Sequence, residues 1–144
     1  MASFDQKLRT LRLMEILLER TDDTHMLNAS ELCTILDQEY GISTDRRTIY
    51  TEMEILDKFG LDIQQKKGKC PGYYIGARDF ELPELKLLVD AVQSSKFITE
   101  KKSKELIQKL EKLCCKTDAE MLSRYVFIVN RPKTENETVY YNVD

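Results

Sequence analysis

Histidine is nearly absent from this chain of 144 residues, with His25 alone. That scarcity removes the commonest general base and the commonest metal ligand from most of the sequence. The four cysteines, Cys33, Cys70, Cys114 and Cys115, show no C-x-x-C spacing. A zinc cluster or redox pair is therefore not expected, and Cys33 and Cys114 read as small apolar core residues. No G-x-S-x-G, H-E-x-x-H or glycine-rich phosphate loop occurs, so neither catalysis nor a cofactor is expected. No run approaches the roughly 18 apolar residues that span a bilayer, and Met1-Ala2-Ser3-Phe4-Asp5-Gln6-Lys7 lacks the apolar centre of a signal peptide. The expectation is a cytoplasmic protein with no membrane partner. Repeats and low-complexity tracts are missing as well.

What is present is the composition of an ordinary globular protein, 42% hydrophobic and 33% charged, with a formal net charge of -3. The charge is unevenly placed. Residues 21–45 hold six acids (Asp22, Asp23, Glu31, Asp37, Glu39, Asp45) and no Lys or Arg. Residues 64–78 hold four bases (Lys66, Lys67, Lys69, Arg78) and no acid. Exposed charges are screened beyond about 8 Å at physiological salt, so a polyanion responds to the local face rather than to the total.

Along the chain, Leu8, Leu11, Leu17 and Leu18, with Met14 or Glu15, predict a first helix over residues 4–20. Thr21-Asp22-Asp23-Thr24 breaks it with turn-forming side chains. A second helix starts near Ser30 after the capping pattern Asn28-Ala29-Ser30-Glu31 and ends by Gly41. Its acids read as a solvated face.

The third helix, about residues 45–59, puts Ile49, Met53 and Leu56 in one narrow arc. Thr44, Arg47, Thr51 and Glu54 fall opposite, with Tyr50 and Thr48 on the flanks. After Gly60, Leu61-Asp62-Ile63-Gln64 and Tyr73-Tyr74-Ile75 alternate as two strands around the loop Lys66-Lys67-Gly68-Lys69-Cys70-Pro71-Gly72, giving a hairpin with a basic tip. Beyond Gly76, Pro83 opens a helix carrying Leu85, Leu88, Val89 and Val92, and a further helix runs from about Thr99. These two read as a spacer or oligomerisation element. Residues 125–129 have strand composition, and residues 131–136 read as an exposed loop.

The fold class this predicts is mainly α with a small β-hairpin: a winged helix-turn-helix over residues 1–78, followed by a helical linker over residues 79–144. Three helices, a turn and a basic wing in this order are the parts of a major-groove reader. Arg47 is the candidate base reader, because its fork can bond a guanine edge. Ser43 belongs to the turn before the helix. Thr44, Thr48 and Thr51 offer phosphate or thymine-methyl contacts, and Tyr50 offers its hydroxyl to phosphate. Arg46 lies nearer the core edge, where it serves a phosphate or a structural ion pair. Lys66, Lys67 and Lys69 are candidate backbone contacts on the wing. The expected partner is double-stranded DNA, bound by a homodimer. Two other readings stay open: a winged helix that binds protein, with these cations merely solvated, and a helical RNA-associated module.

Arg12-Leu13-Met14-Glu15-Ile16-Leu17, Leu27-Asn28-Ala29-Ser30-Glu31-Leu32, Gly41-Ile42-Ser43 with Asp45-Arg46-Arg47-Thr48-Ile49-Tyr50, and Gly72-Tyr73-Tyr74-Ile75 together resemble the winged helix-turn-helix of bacterial WYL-domain transcriptional regulators. Phe80-Glu81-Leu82-Pro83-Glu84-Leu85 and the residues after it, through Ser95-Lys96-Phe97-Ile98-Thr99, resemble the helical linker of that family. The resemblance implies a transcriptional regulator whose DNA contacts lie on the helix and wing named above. It also implies that a segment similar to Val139-Tyr140-Tyr141-Asn142-Val143-Asp144 leads toward a ligand-sensing domain that is missing here.

Overall fold

The computed structural model describes residues 2–128. It is mainly helical with one small antiparallel hairpin: α1 (Ala2–Arg20), α2 (Ala29–Tyr40), α3 (Arg46–Phe59), β1 (Ile63–Lys66), β2 (Gly72–Ile75), α4 (Leu82–Ser94), α5 (Glu100–Glu111) and α6 (Lys116–Ile128). Two compact units divide the chain, Met1–Arg78 and Asp79–Asp144.

In the first unit each helix is bounded by side chains suited to the task. Asn28 caps α2 by accepting the Glu31 N–H at 2.8 Å, while the Glu31 carboxylate accepts the Asn28 N–H at 3.1 Å. That reciprocal pair satisfies two amides the helix itself leaves open. At the other end Gly41 adopts φ 66°, a left-handed conformation that costs an L side chain energy, and its N–H bonds the Asp37 carbonyl. Asp45 caps α3 through the Thr48 N–H, and Gly60 ends it at φ 127°.

Leu13, Ile16 and Leu17 of α1, Leu32 and Leu36 of α2, and Ile49, Met53 and Leu56 of α3 close one core with Ile42, Tyr73 and Ile75. At about 1.5–3 kcal/mol for each large apolar side chain fully buried, this cluster supplies the main driving force of the unit. Cys33 packs against the same cluster, and burial pushes its thiol above the ordinary range, the charge of Asp45 adding to the effect.

The hairpin pairs Ile63 with Ile75, Gln64 with Tyr74, Gln65 with Tyr73 and Lys66 with Gly72. Lys66 is thus a strand residue rather than part of the loop, and the free tip is narrower than its sequence suggests. On the far edge of β2, Leu27 and Tyr73 exchange backbone bonds of 3.0 and 2.8 Å. Gly72 permits this approach, since a Cβ there would stand 2.8 Å from Met26 Cβ and 2.9 Å from the Leu27 carbonyl carbon. Further along the same edge, the fully buried Thr21 hydroxyl accepts the Ile75 N–H at 3.1 Å and donates to the Leu17 carbonyl at 2.6 Å.

In the second unit, Leu85 and Val89 of α4, Ile107 of α5 and Leu122 of α6 form a core with Cys114, which lies in the turn after α5. Residues 125–128, expected to be strand, are the end of α6. Taken alone they carry aromatic and β-branched residues, but Ala119, Leu122, Tyr125 and Val126 recur at three- and four-residue steps and pack on this core. Helical periodicity over the longer window overrides local strand composition. Gln93 of α4 holds the end of α6 by donating to the Val126 carbonyl at 3.0 Å. Val129, the expected loop at 131–136 and the segment 139–144 lie outside the described residues. No helix among the described residues is long and apolar enough to cross a membrane.

Candidate nucleic-acid interface

The inward side of α3 is fixed by Ile49, Met53 and Leu56, so the opposite side is exposed by geometry. Arg46 and Arg47, in its first turn, are both exposed, and neither is held in a salt bridge among the described residues. The ion-pair alternative for Arg46 is therefore not realised. Thr51 is exposed and its hydroxyl donates back to the Arg47 carbonyl at 3.4 Å, a long bond that leaves the oxygen open to another donor. Thr48 is half-buried beside the cap. Tyr50 is 49% exposed.

Ser43 is exposed in the turn before α3. Thr44 departs from expectation: its hydroxyl oxygen is enclosed and without a hydrogen-bond partner among the described residues, so it does not present the phosphate donor the wheel suggested. The reason is local. Thr44 stands before the helix, outside any regular element, where the 100° step that placed it opposite the core does not apply.

The hairpin adjoins α3. Burial raises the phenol of Tyr73 above its usual range, with a smaller electrostatic contribution from Tyr50. Lys66, Lys67 and Lys69 are all exposed, without a salt bridge among the described residues. Gly68 turns the tip at φ 124°. Arg78 does not belong with these cations: its guanidinium donates to the Thr21 carbonyl at 2.7 Å, which ties the chain after β2 back to the end of α1.

Two carboxylates bound the region. Asp45 is held below the ordinary carboxylate range, chiefly by the backbone N–H of Thr48, then by the Thr48 side chain, with Arg47 adding a smaller effect. Glu54 is exposed on the outward side of α3.

Glu52, seven residues after Asp45, lies on the buried side of α3. It is 4% exposed and accepts from Arg9 Nε at 3.1 Å and Nη2 at 2.9 Å, while its second oxygen accepts the Thr10 hydroxyl. The signal was available, because Glu52 stands three residues after Ile49 and four before Leu56, on the same helix face. His25 carries no such surprise: it is exposed, with Nδ1 2.8 Å from Asp22. Comparison of the chain with models of protein families, with curated proteins and with solved structures finds no match in any of the three.

Proposed function

We propose that the first unit is a winged helix-turn-helix that binds double-stranded DNA, with α3 in the major groove and the hairpin as a wing on the phosphate backbone. The observation that carries this is five exposed cations without salt-bridge partners among the described residues: Arg46 and Arg47 on the first turn of α3, and Lys66, Lys67 and Lys69 on the hairpin that follows it. A lysine left in water gains little from folding, so a solvated cluster of one sign beside an exposed helix face suits a polyanion. Arg47 reads a guanine edge; Arg46, Ser43, Thr48, Tyr50 and Thr51 contact phosphate or a thymine methyl. In keeping with the resemblance to WYL-domain regulators, the role is that of a cytoplasmic transcriptional regulator, not of an enzyme. The second unit brings two copies together on a two-part site; Leu87 on α4, 70% exposed, and Met121 on α6, 46% exposed, favour such a use.

The test is fluorescence anisotropy of a labelled random-sequence duplex against the full chain over a range of KCl. Each phosphate neutralised contributes a slope of about 0.9 in log affinity against log salt, so the four cations assigned to phosphate, Arg46, Lys66, Lys67 and Lys69, give a slope of about 3.6. Affinity independent of salt, or no binding at 50 mM KCl, overturns the reading. One observation favours a protein partner instead: Ile55 and Phe59, at the end of α3, are 47% and 74% exposed. Substituting both by Ser leaves duplex affinity unchanged on the DNA reading.

A further inference from the structure

Among the described residues Glu52 is the one charged residue that is buried. Its partner Arg9 keeps 16% of its side chain in water, and both carboxylate oxygens are bonded. Burying an ion pair returns little stability, and well-packed apolar residues of similar volume serve as well or better. What apolar packing does not supply is direction. A guanidinium fork engaging one carboxylate oxygen through two nitrogens, with a hydroxyl on the other oxygen, fixes both the rotation of α3 about its own axis and its height on α1.

We propose that the network of Arg9, Glu52 and Thr10 sets the seating of α3, making these three positioning residues for its outward face; the inference rests on the duplex-binding reading above. Glu52 directly follows Thr51 and lies five residues from Arg47, on the side of the helix that faces α1. Base readout tolerates a displacement of only about 0.5 Å or a rotation of about 10–20°. A helix free to settle into a slightly different rotation keeps its charges, and so its general affinity for duplex, but loses register with base edges.

The experiment uses the full chain and the duplex that the wild-type protein selects from a random pool. Affinity for that duplex over a shuffled one of equal composition is the preference ratio. The double variant Arg9→Met with Glu52→Leu removes both charges and is expected to melt within a few degrees of wild type. Its preference ratio is expected to fall about tenfold or more, with the salt slope unchanged. A ratio that stays at the wild-type value in this variant shows the network to be packing only.

Arg9→Lys keeps the charge and loses the fork, so it decides the matter if the double variant does not fold. A comparable loss of ratio is expected, and wild-type preference in Arg9→Lys overturns the proposal. Failure of the wild-type protein to prefer any duplex is a different result: it removes the DNA reading and this inference with it.

Discussion

Replacing Thr21 by Val removes one hydroxyl while keeping shape, and its cost can be worked out from the bonds that remain. Thr21 is fully buried, its hydroxyl accepts the Ile75 N–H at 3.1 Å, and it donates to the Leu17 carbonyl at 2.6 Å. The Leu17 carbonyl keeps a bond from the Thr21 N–H at 3.2 Å, so that acceptor stays satisfied. The Ile75 amide does not. Its edge of β2 faces away from β1, whose ladder is served by Tyr74, and Ile75 itself is 2% exposed. An unsatisfied buried N–H costs about 1–3 kcal/mol, and the methyl that replaces the hydroxyl returns only part of that. For a unit of this size, a loss of about 2 kcal/mol lowers the melting temperature by about 8–16 °C. Thermal unfolding followed by circular dichroism measures the shift, and amide exchange at Ile75 reports whether the hairpin edge has opened. Thr21→Ser retains both bonds and is expected to lose less than half as much. Equal melting of Thr21→Val and wild type, with Ile75 still protected, would refute the assignment of this hydroxyl as the latch of β2.

At Gly72, substitution by Ala drives a Cβ to 2.9 Å from the Leu27 backbone, so the Leu27–Tyr73 pairing should open at a cost of about 1–3 kcal/mol, visible as lost amide protection at both residues. Asn28→Ala removes the α2 cap and is expected to cost about 1 kcal/mol in urea unfolding, whereas Asn28→Asp should cost little. Asp45 and Asp62 both have folded-state carboxyls lowered from 3.8, Asp45 by the Thr48 amide and Asp62 by the Gln64 side chain and then the Ala77 amide. A depressed folded value means the stabilisation is complete above the unfolded value and is lost as pH falls through the lower folded one. Melting temperature should therefore decline below about pH 4, and Asp45→Asn, which keeps a capping side chain, should flatten that decline.

The parts of this fold that were legible in sequence are those set by neighbours in sequence. Asn28 with Glu31 announces α2, and the arc of Ile49, Met53 and Leu56 announces the buried face of α3. Each rests on contacts within one helix turn or two. Thr21 is the opposite case. As one residue of a turn-forming run it signals only the end of α1, yet its hydroxyl serves an amide 54 residues away. Glu52 was readable in principle, from a carboxylate standing between core positions, but its partners Arg9 and Thr10 lie 43 and 42 residues back. Nothing local to α1 marks them. Residues 125–128 show the converse, with local strand composition outweighed by the stripe that begins at Ala119. Thr44 shows how helical periodicity misplaces a residue that stands just outside the helix.

On the proposed reading, both helix starts of the helix-turn-helix are occupied before any duplex arrives. Glu31 sits on the first turn of α2 and Asp45 caps α3, each bonded to an amide that would otherwise attract an anion. A helix N-terminus offers phosphate its amides and the positive end of a dipole, and a carboxylate already seated there neutralises both. Phosphate contacts then fall to side chains: Arg46 at the helix start and the three lysines of the hairpin. Such a division ties affinity to the wing and leaves α3 free to discriminate. Arg47, exposed and in no salt bridge among the described residues, has no ion pair to surrender when it meets a base edge.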